Sequence, residues 1–323
     1  MEALLEVKGL KTYYYTEKRV VPAADDVTFT LHKGEVLGIV GESGCGKSTV
    51  ARSVVGLIDK TSTRIEDGSV LFLGKDLAKA TQKELCDIRG NRISMIFQDP
   101  FVSLSPVYTV EEQIYEVMQA HDSTITRKQA HPMILELMRK VGIPSPEMRL
   151  KDYPHQLSGG MQQRIMIAIA LACKPDILIA DEPTTALDVT VQAQVLDLLR
   201  SLRDEYQMSI ILISHSLGVI ASMCDRVMVM YGGVVVEAGE VTQIFKDPQH
   251  PYTKGLLASI PSIAEDKEEL YSIRGVVPNL SVPVTQCRFC TRCDYADEQC
   301  LSAEPPLSVC ADGREIRCFH AGG

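Results

Sequence analysis

Gly41-Glu-Ser-Gly-Cys-Gly-Lys-Ser-Thr49 has the form GxxxxGK[ST], the P-loop pattern. Ahead of it, Glu35-Val-Leu-Gly-Ile-Val40 reads as a buried strand; behind it, Thr49-Val-Ala-Arg-Ser-Val-Val55 reads as a helix. Those flanks weigh against a glycine-rich turn that meets the pattern by chance. Glycines let such a loop curl until successive N–H groups point inward at phosphate oxygens, and the helix N-terminus adds its positive dipole end. Gly41, Ser43, Gly44, Cys45, Gly46, Lys47, Ser48 and Thr49 are therefore the expected phosphate-binding residues. Lys47 is placed to reach the β- and γ-phosphates, and Ser48 to offer its hydroxyl to Mg²⁺.

Working outward, Leu4 to Thr12 and Val27 to Leu31 alternate as half-buried strands do, with Tyr13-Tyr14-Tyr15 between them. An aromatic cluster is commonly packing. Beside a nucleotide site one tyrosine can instead give adenine a flat face, and Tyr14 is the choice among the three. Val70 to Leu73 and Ile93 to Phe97 read as strands, with a charged helical stretch around Glu84 between them. Gln98 follows at a strand end, where loops of α/β sheets bind ligands.

From about residue 103 to 174 the pattern turns helical, with capping boxes at Thr109 and Thr126, which marks an inserted helical subdomain. Ser158, Gly159 and Gly160 precede an apolar helix running from Gln163 to Cys173. They read either as a plain N-cap or as a second phosphate site. Asp176 to Ala180 is a buried parallel strand ending in Asp181-Glu182, two adjacent carboxylates that are costly without a cation. Asp181 suits Mg²⁺, and Glu182 suits the attacking water as general base. Ser209 to Ile213 is another buried strand, with His215 just past its end, able to contact the γ-phosphate. Gly232-Gly233 joins two strands as a hairpin, and Thr242 to Phe245 can form a short helix.

The 323 residues suffice for one large core or two domains. A formal net charge of −9 with no basic block is unsuited to nucleic acid. The start lacks a basic and apolar leader, and the longest apolar run, Ile165 to Cys173, is far short of the ~20 residues of a membrane helix. The chain is thus expected in the cytoplasm, at a membrane only through partners. Cys45, Cys86, Cys173 and Cys224 are scattered and expected to act as small hydrophobes. Six more fall between Cys287 and Cys318, which in a reducing compartment points to metal before disulfide. Spacing alone leaves zinc and an iron–sulfur cluster open. The charged run Glu265 to Glu269 reads as a solvated linker or helix face.

The P-loop, Gln98, Leu157-Ser-Gly-Gly-Met-Gln162, Asp181-Glu182 and His215 stand in an order that resembles the ATP-binding cassette of ABC transporters. Gln98 to Pro106, Tyr153 to Arg164, Thr185 to Gln194 and His250 to Pro261 narrow this: they are similar to ATPase subunits of oligopeptide, dipeptide and nickel importers. The implied fold is an α/β P-loop NTPase cassette, with a mixed sheet core, an antiparallel β subdomain and the inserted helical subdomain, over residues 1–255. Residues 256–323 would be the cysteine-bearing C-terminal extension. The resemblance implies that Tyr14 stacks on adenine, that Gln98 contacts Mg²⁺ and the water, and that Ser158 and Gly160 bind the γ-phosphate held by a partner cassette. Asp188 would lie at the cassette dimer interface. It further implies ATP hydrolysis coupled to import of peptides or a related solute such as nickel complexes, at the cytoplasmic face of the cell membrane. The partners would be a second, paralogous cassette, two transmembrane permeases and, indirectly, an extracellular solute-binding protein. The alternative is a soluble ABC ATPase of a non-transport assembly, as in phosphonate utilisation. Similar subunits hold a [4Fe–4S] cluster, here on Cys287, Cys293, Cys300 and Cys318, with zinc as the alternative and Cys290 and Cys310 spare. One departure is Ser216, where the family has Asp after the histidine; it leaves the local loop geometry open.

Overall fold

The computed structural model describes residues 2–99, 103–185, 188–259, 272–278, 280–281 and 284–321. The Glu265 to Glu269 run lies outside them. In chain order the elements are β1 (Ala3–Tyr15), β2 (Val20–His32), β3 (Val36–Val40), α1 (Lys47–Val54), β4 (Thr63–Phe72), β5 (Lys75–Asp76), α2 (Gln82–Ile88) and β6 (Ile93–Ile96). Then come α3 (Val110–His121), α4 (Arg127–Lys140), α5 (Pro146–Arg149), α6 (Gly159–Leu171), β7 (Ile177–Asp181), α7 (Val189–Tyr206) and β8 (Ser209–Ile213). The chain closes with α8 (Leu217–Met223), β9 (Arg226–Tyr231), β10 (Val234–Glu240), α9 (Val241–Lys246), α10 (Pro251–Ala258), α11 (Glu298–Ser302), β11 (Ser308–Val309) and β12 (Glu315–Ile316). They fall into two compact units, Met1–Ala80 with Leu212–Gly323, and Thr81–Ile211.

The first unit carries an antiparallel sheet in the order β2-β1-β4-β5. Alternation buries Leu5, Val7 and Leu10 of β1 and Val27, Phe29 and Leu31 of β2 on its inner face. β1 does not stop before the tyrosines, as the sequence suggested. It runs through them, because Tyr13, Tyr14 and Tyr15 pair with Pro22, Val21 and Val20 of an equally extended β2.

The same unit holds a mixed sheet. β3 pairs parallel with β9, and all five β3 residues are buried, as a strand covered on both faces requires. β9 and β10 pair antiparallel around Gly232-Gly233, whose φ values of 54° and 87° are the left-handed geometry of a two-residue hairpin. β12 pairs with β10 and β11 with β12, so the C-terminal segment contributes strands to this sheet. That segment is fastened at several further points. Arg317 reaches Asp26 at 2.8 Å, Arg288 reaches Asp25 at 2.5 Å, and Phe289 packs edge-on against Tyr231 with ring centres 5.2 Å apart.

In the second unit β6 pairs parallel with β7, among capped helices. Both expected capping boxes form, at Thr109 and Thr126, and Thr81 makes a third. Gly142, φ 75°, ends the α4 segment. The apolar helix expected from Gln163 begins at Gly159, because Ser158 is its N-cap. No helix among the described residues is long and apolar enough to cross a membrane.

His250 closes the N-terminus of α10: its Nδ1 accepts from the Tyr252 amide at 3.0 Å. Burial holds its imidazole neutral down to about pH 3. Between an unfolded-state pKa near ~6.5 and about 3, the unfolded chain takes up a proton that the fold refuses. Stability through this group therefore falls as pH falls, by up to about 1.4 kcal/mol per pH unit. Glu237, whose carboxyl burial pushes up, titrates in the opposite sense. A His250→Asn variant, which keeps a good cap, isolates the histidine. Its urea midpoint is expected to decline less steeply than wild type between pH 6.5 and 5.

Candidate functional site

The first unit supplies the nucleotide cradle. Gly41 has φ 150°, and a Cβ there would lie 2.2 Å from the Met230 carbonyl oxygen. Gly46, the N-cap of α1 with φ 103°, would put its Cβ 2.0 Å from the Ala23 carbonyl oxygen. The loop thus rests directly on the backbones of β2 and β9, and only glycine fits at the two contact points. Lys47 is 6% exposed, and its Nζ donates to the Gly41 and Glu42 carbonyls at 2.7 and 3.1 Å. Ser43 and Gly44 are exposed at the lip. Cys45 is buried, and burial raises its thiol pKa, as expected of a small hydrophobe. Among the other scattered cysteines, Cys86 departs from that expectation by being exposed.

The tyrosines divide by strand alternation. Tyr13 donates to Asp25 at 2.9 Å and Tyr15 to Glu66 at 2.5 Å, whereas the Tyr14 hydroxyl lies 3.2 Å from Thr49 Oγ1 at the start of α1. Tyr14 is thus the member of the three that reaches the P-loop helix. His215 is exposed directly after Ser214, whose amide donates to the Ile39 carbonyl at 3.2 Å. Ser216 does the work a capping carboxylate would do. Its hydroxyl accepts from the Val219 amide at the start of α8, and its own amide donates to Ser214 Oγ at 3.0 Å.

In the second unit Asp181, 2% exposed, ends β7, and Glu182 follows in the left-handed region with φ 49°. A non-glycine residue there is strained, and such strain collects at functional sites. The turn aims the Glu182 carboxylate at two donors: Gln98 Nε2 and Thr185 Oγ1 each lie 2.9 Å from Oε2. Gln98 and Glu182, 84 positions apart, are so brought together. Ser158 caps α6, accepting from the Met161 amide, and Gln162 locks the turn by donating to the Pro154 and Leu157 carbonyls at 2.8 and 3.2 Å. Gly159 has open space where a side chain would stand; a Cβ on Gly160 would lie 3.1 Å from Val191 Cγ1. Asp188 caps α7 through the Val191 amide at 2.9 Å, beside Val189, which is 83% exposed.

The ABC transporter family pattern matches residues 24–185, half the chain, from ahead of the P-loop through Thr185. The chain belongs to the ABC transporter family. A second pattern, the C-terminal region of oligopeptide/dipeptide transporters, matches residues 236–300. The ABC subunit is 49% identical to the Oligopeptide transport ATP-binding protein AppD of Bacillus subtilis (strain 168), over 99% of this chain and 97% of that one. It is 45% identical to the Dipeptide transport ATP-binding protein DppD of Escherichia coli (strain K12), over 98% and 97%. Its fold is similar to that of the dimeric ATP-binding cassette MJ0796, solved in a post-hydrolysis state bound to ADP and Pi. That match has a TM-score of 0.66 and 26% identity, covering 73% of this chain and 98% of that one. This chain is accordingly an ATPase cassette whose hydrolysis is coupled to transport.

The C-terminal cysteines of the ABC subunit separate into two groups. Burial raises the thiol pKa of Cys287, to about 12, with Cys300, Cys290 and Cys318 adding to it. Burial likewise raises Cys293, with Cys318 and Cys300 contributing, and Cys318 acts in turn on Cys300. The Cys287 amide donates to the Cys300 carbonyl at 2.9 Å. Cys287, Cys290, Cys293, Cys300 and Cys318 thus bear on one another electrostatically, whereas Cys310 is committed to the β11–β12 turn, donating its amide to the Arg314 carbonyl. Asp297, Cys300 and His320 also present ligand atoms within 4.8 Å of one another.

Sequence reasoning missed Thr185, Gln162 and the C-terminal arginines. Thr185, in Thr185-Ala-Leu-Asp188, was legible as a hydroxyl three residues from Glu182. The arginines act across more than two hundred positions and leave no local signal. The ABC subunit should discriminate sharply between its glycines. Gly46→Ala is expected to lose about 2–3 kcal/mol or more in urea denaturation, from backbone collision and left-handed strain. Gly159→Ala should stay within about 0.5 kcal/mol of wild type.

Proposed function

We propose that this chain is the ATP-hydrolysing subunit that energises import of peptides, or a related solute such as a nickel complex, through a membrane permease. The observation that carries the chemistry is the Glu182 carboxylate at the end of β7, gripped by Gln98 and Thr185. A carboxylate so held can take a proton from a water that the glutamine amide orients. Lys47 reaches the β- and γ-phosphates, Ser48 and Asp181 serve Mg²⁺ with Gln98, and His215 contacts the γ-phosphate. Tyr14 stacks on adenine, and the amides and side chains of Gly41, Ser43, Gly44, Cys45, Gly46 and Thr49 complete the cradle.

Ser158, Gly159 and Gly160 act in trans, on the nucleotide of a second cassette, with Asp188 at the shared face. The open space over Gly159 and the exposed Val189 support that reading. The second cassette is a paralogue, and the pair sits on two permeases at the cytoplasmic face, with specificity supplied by an extracellular binding protein. The solute class rests on the peptide transport named for the relatives and on the C-terminal region they share. A cassette of residues 1–255, with a helical subdomain over about 103–174 and an extension over 256–323, is the domain reading that goes with it.

For the extension we infer a [4Fe–4S] cluster on Cys287, Cys293, Cys300 and Cys318. Cys300 is buried and Cys287, Cys293 and Cys318 are half-buried, a set of thiols suited to it, since a bound cation reverses the repulsion among thiolates. When bound, the cluster supplies a cross-link for a segment with little apolar core. Zinc is the second reading, favoured by the mixed Asp297, Cys300 and His320 group.

Purification of the tagged protein from its native membrane in mild detergent should bring two permeases and a second cassette. A soluble enzyme assembly without membrane proteins would overturn transport in favour of the non-transport alternative. Glu182→Gln should lower ATP turnover of the purified complex about 100-fold or more while leaving ATP bound. Unchanged turnover would remove Glu182 as base. Anaerobic protein should contain iron and sulfide in equal amount, and zinc alone would decide for the second reading.

A further inference from the structure

The sequence pattern assigns nothing to Glu42, the second residue of the P-loop, or to Arg292, 250 positions later. In the structure they pair directly, side chain to side chain. Arg292 Nη1 donates to Glu42 Oε2 at 2.7 Å and Nη2 to Glu42 Oε1 at 3.0 Å, a two-point guanidinium–carboxylate pair. The guanidinium is itself held on every side. Nε donates to the Arg274 carbonyl at 2.8 Å and Nη2 to the Ile273 carbonyl at 3.3 Å. The group lies 5.7 Å from the Tyr231 ring centre and 5.9 Å from that of Phe289. Its side chain is 4% exposed.

Glu42 is fixed through its backbone as well. Its amide accepts no freedom, because it donates to the hydroxyl of fully buried Tyr252 at 2.9 Å. Its carbonyl receives Lys47 Nζ and the Cys45 amide. One residue therefore links three things: the lysine that meets phosphate, the loop amides that line the cradle, and an arginine carried by the short turn Cys290–Arg292 inside the cysteine-rich segment.

We propose that Arg292 is a positioning residue for ATP: its two-point grip on Glu42 holds the P-loop in the cradle form, so that nucleotide affinity depends on the C-terminal segment. Arg292 touches no substrate in this scheme. It acts by removing conformations of the 41–47 loop in which the amides and Lys47 point elsewhere, which lowers the ordering cost that binding would otherwise carry. The proposal deepens the ATPase reading and rests on it.

The test uses the full-length chain with Mg²⁺ and a fluorescent ATP analogue, mant-ATP, together with ATPase kinetics. Arg292→Ala and Glu42→Gln are each expected to raise the dissociation constant and the KM for ATP about tenfold, with kcat within about twofold. The double variant should be no worse than either single one, because both remove the same contact. Arg292→Lys, which keeps charge but not the fork, should recover part of the affinity. Loss of folded protein alone would lower the number of binding sites and leave the affinity of the remainder unchanged, which overturns the proposal. So does wild-type affinity in Glu42→Gln, a variant at a partly exposed side chain that decides the matter if Arg292→Ala does not fold. Effects that add in the double variant overturn it as well. Failure of the ATPase reading itself is separate: wild type would then bind no mant-ATP, or Lys47→Ala would bind it as well as wild type.

Discussion

A loop that turns its amides toward phosphate must rest its other side on something, and here it rests on bare backbone. Gly41 lies against the Met230 carbonyl and Gly46 against the Ala23 carbonyl, each too close for any side chain. Around these two contacts the first unit arranges itself. β3 enters the loop, α1 leaves it, and the β9–β10 hairpin supplies the Gly233 amide to the Cys45 carbonyl. The C-terminal segment then buttresses the floor, since Arg288 donates to the Gly232 carbonyl at 2.5 Å. Removing any layer of this stack moves the loop, because interiors are packed too densely to absorb a displacement locally.

The hydrolytic residues obey a different constraint. Asp181 and Glu182 are adjacent carboxylates, and the chain keeps both functional by sending them different ways. Asp181 stays in line with β7 and buried. Glu182 turns into the left-handed region and out toward Gln98 and Thr185. Backbone strain of order 1 kcal/mol is a small cost beside that of two carboxylates sharing one buried direction.

Much of this was legible because it is local. Buried strands such as Ser209–Ile213, the capping boxes at Thr109 and Thr126, and the Gly232-Gly233 hairpin each depend on residues within a few positions of one another. The P-loop was legible for the same reason, and the order of motifs pointed to the family that the relatives bear out. What escaped was set by pairing partners far away. Tyr13 to Tyr15 read as a cluster between strands, yet they belong to β1 because β2 extends to meet them. Ser216 read as a departure whose consequence was open, and only the α8 amides reveal that a hydroxyl caps there as well. Arg288 and Arg292 had no role assigned from the sequence, and their targets lie 263 and 250 positions upstream.

Those long reaches have a consequence for how the protein is made. Asp25 is half-buried, and burial alone would raise its pKa; Arg288 and Tyr13 more than offset this and hold the carboxyl below its ordinary range. Asp26 likewise meets Arg317. During synthesis the β2 strand leaves the ribosome long before the cations that neutralise it, and the first sheet cannot reach its final electrostatic state until Arg288 and Arg317 emerge. A chain ending before Arg288 would carry every ATP-site motif and still lack the cations that meet Asp25 and Asp26.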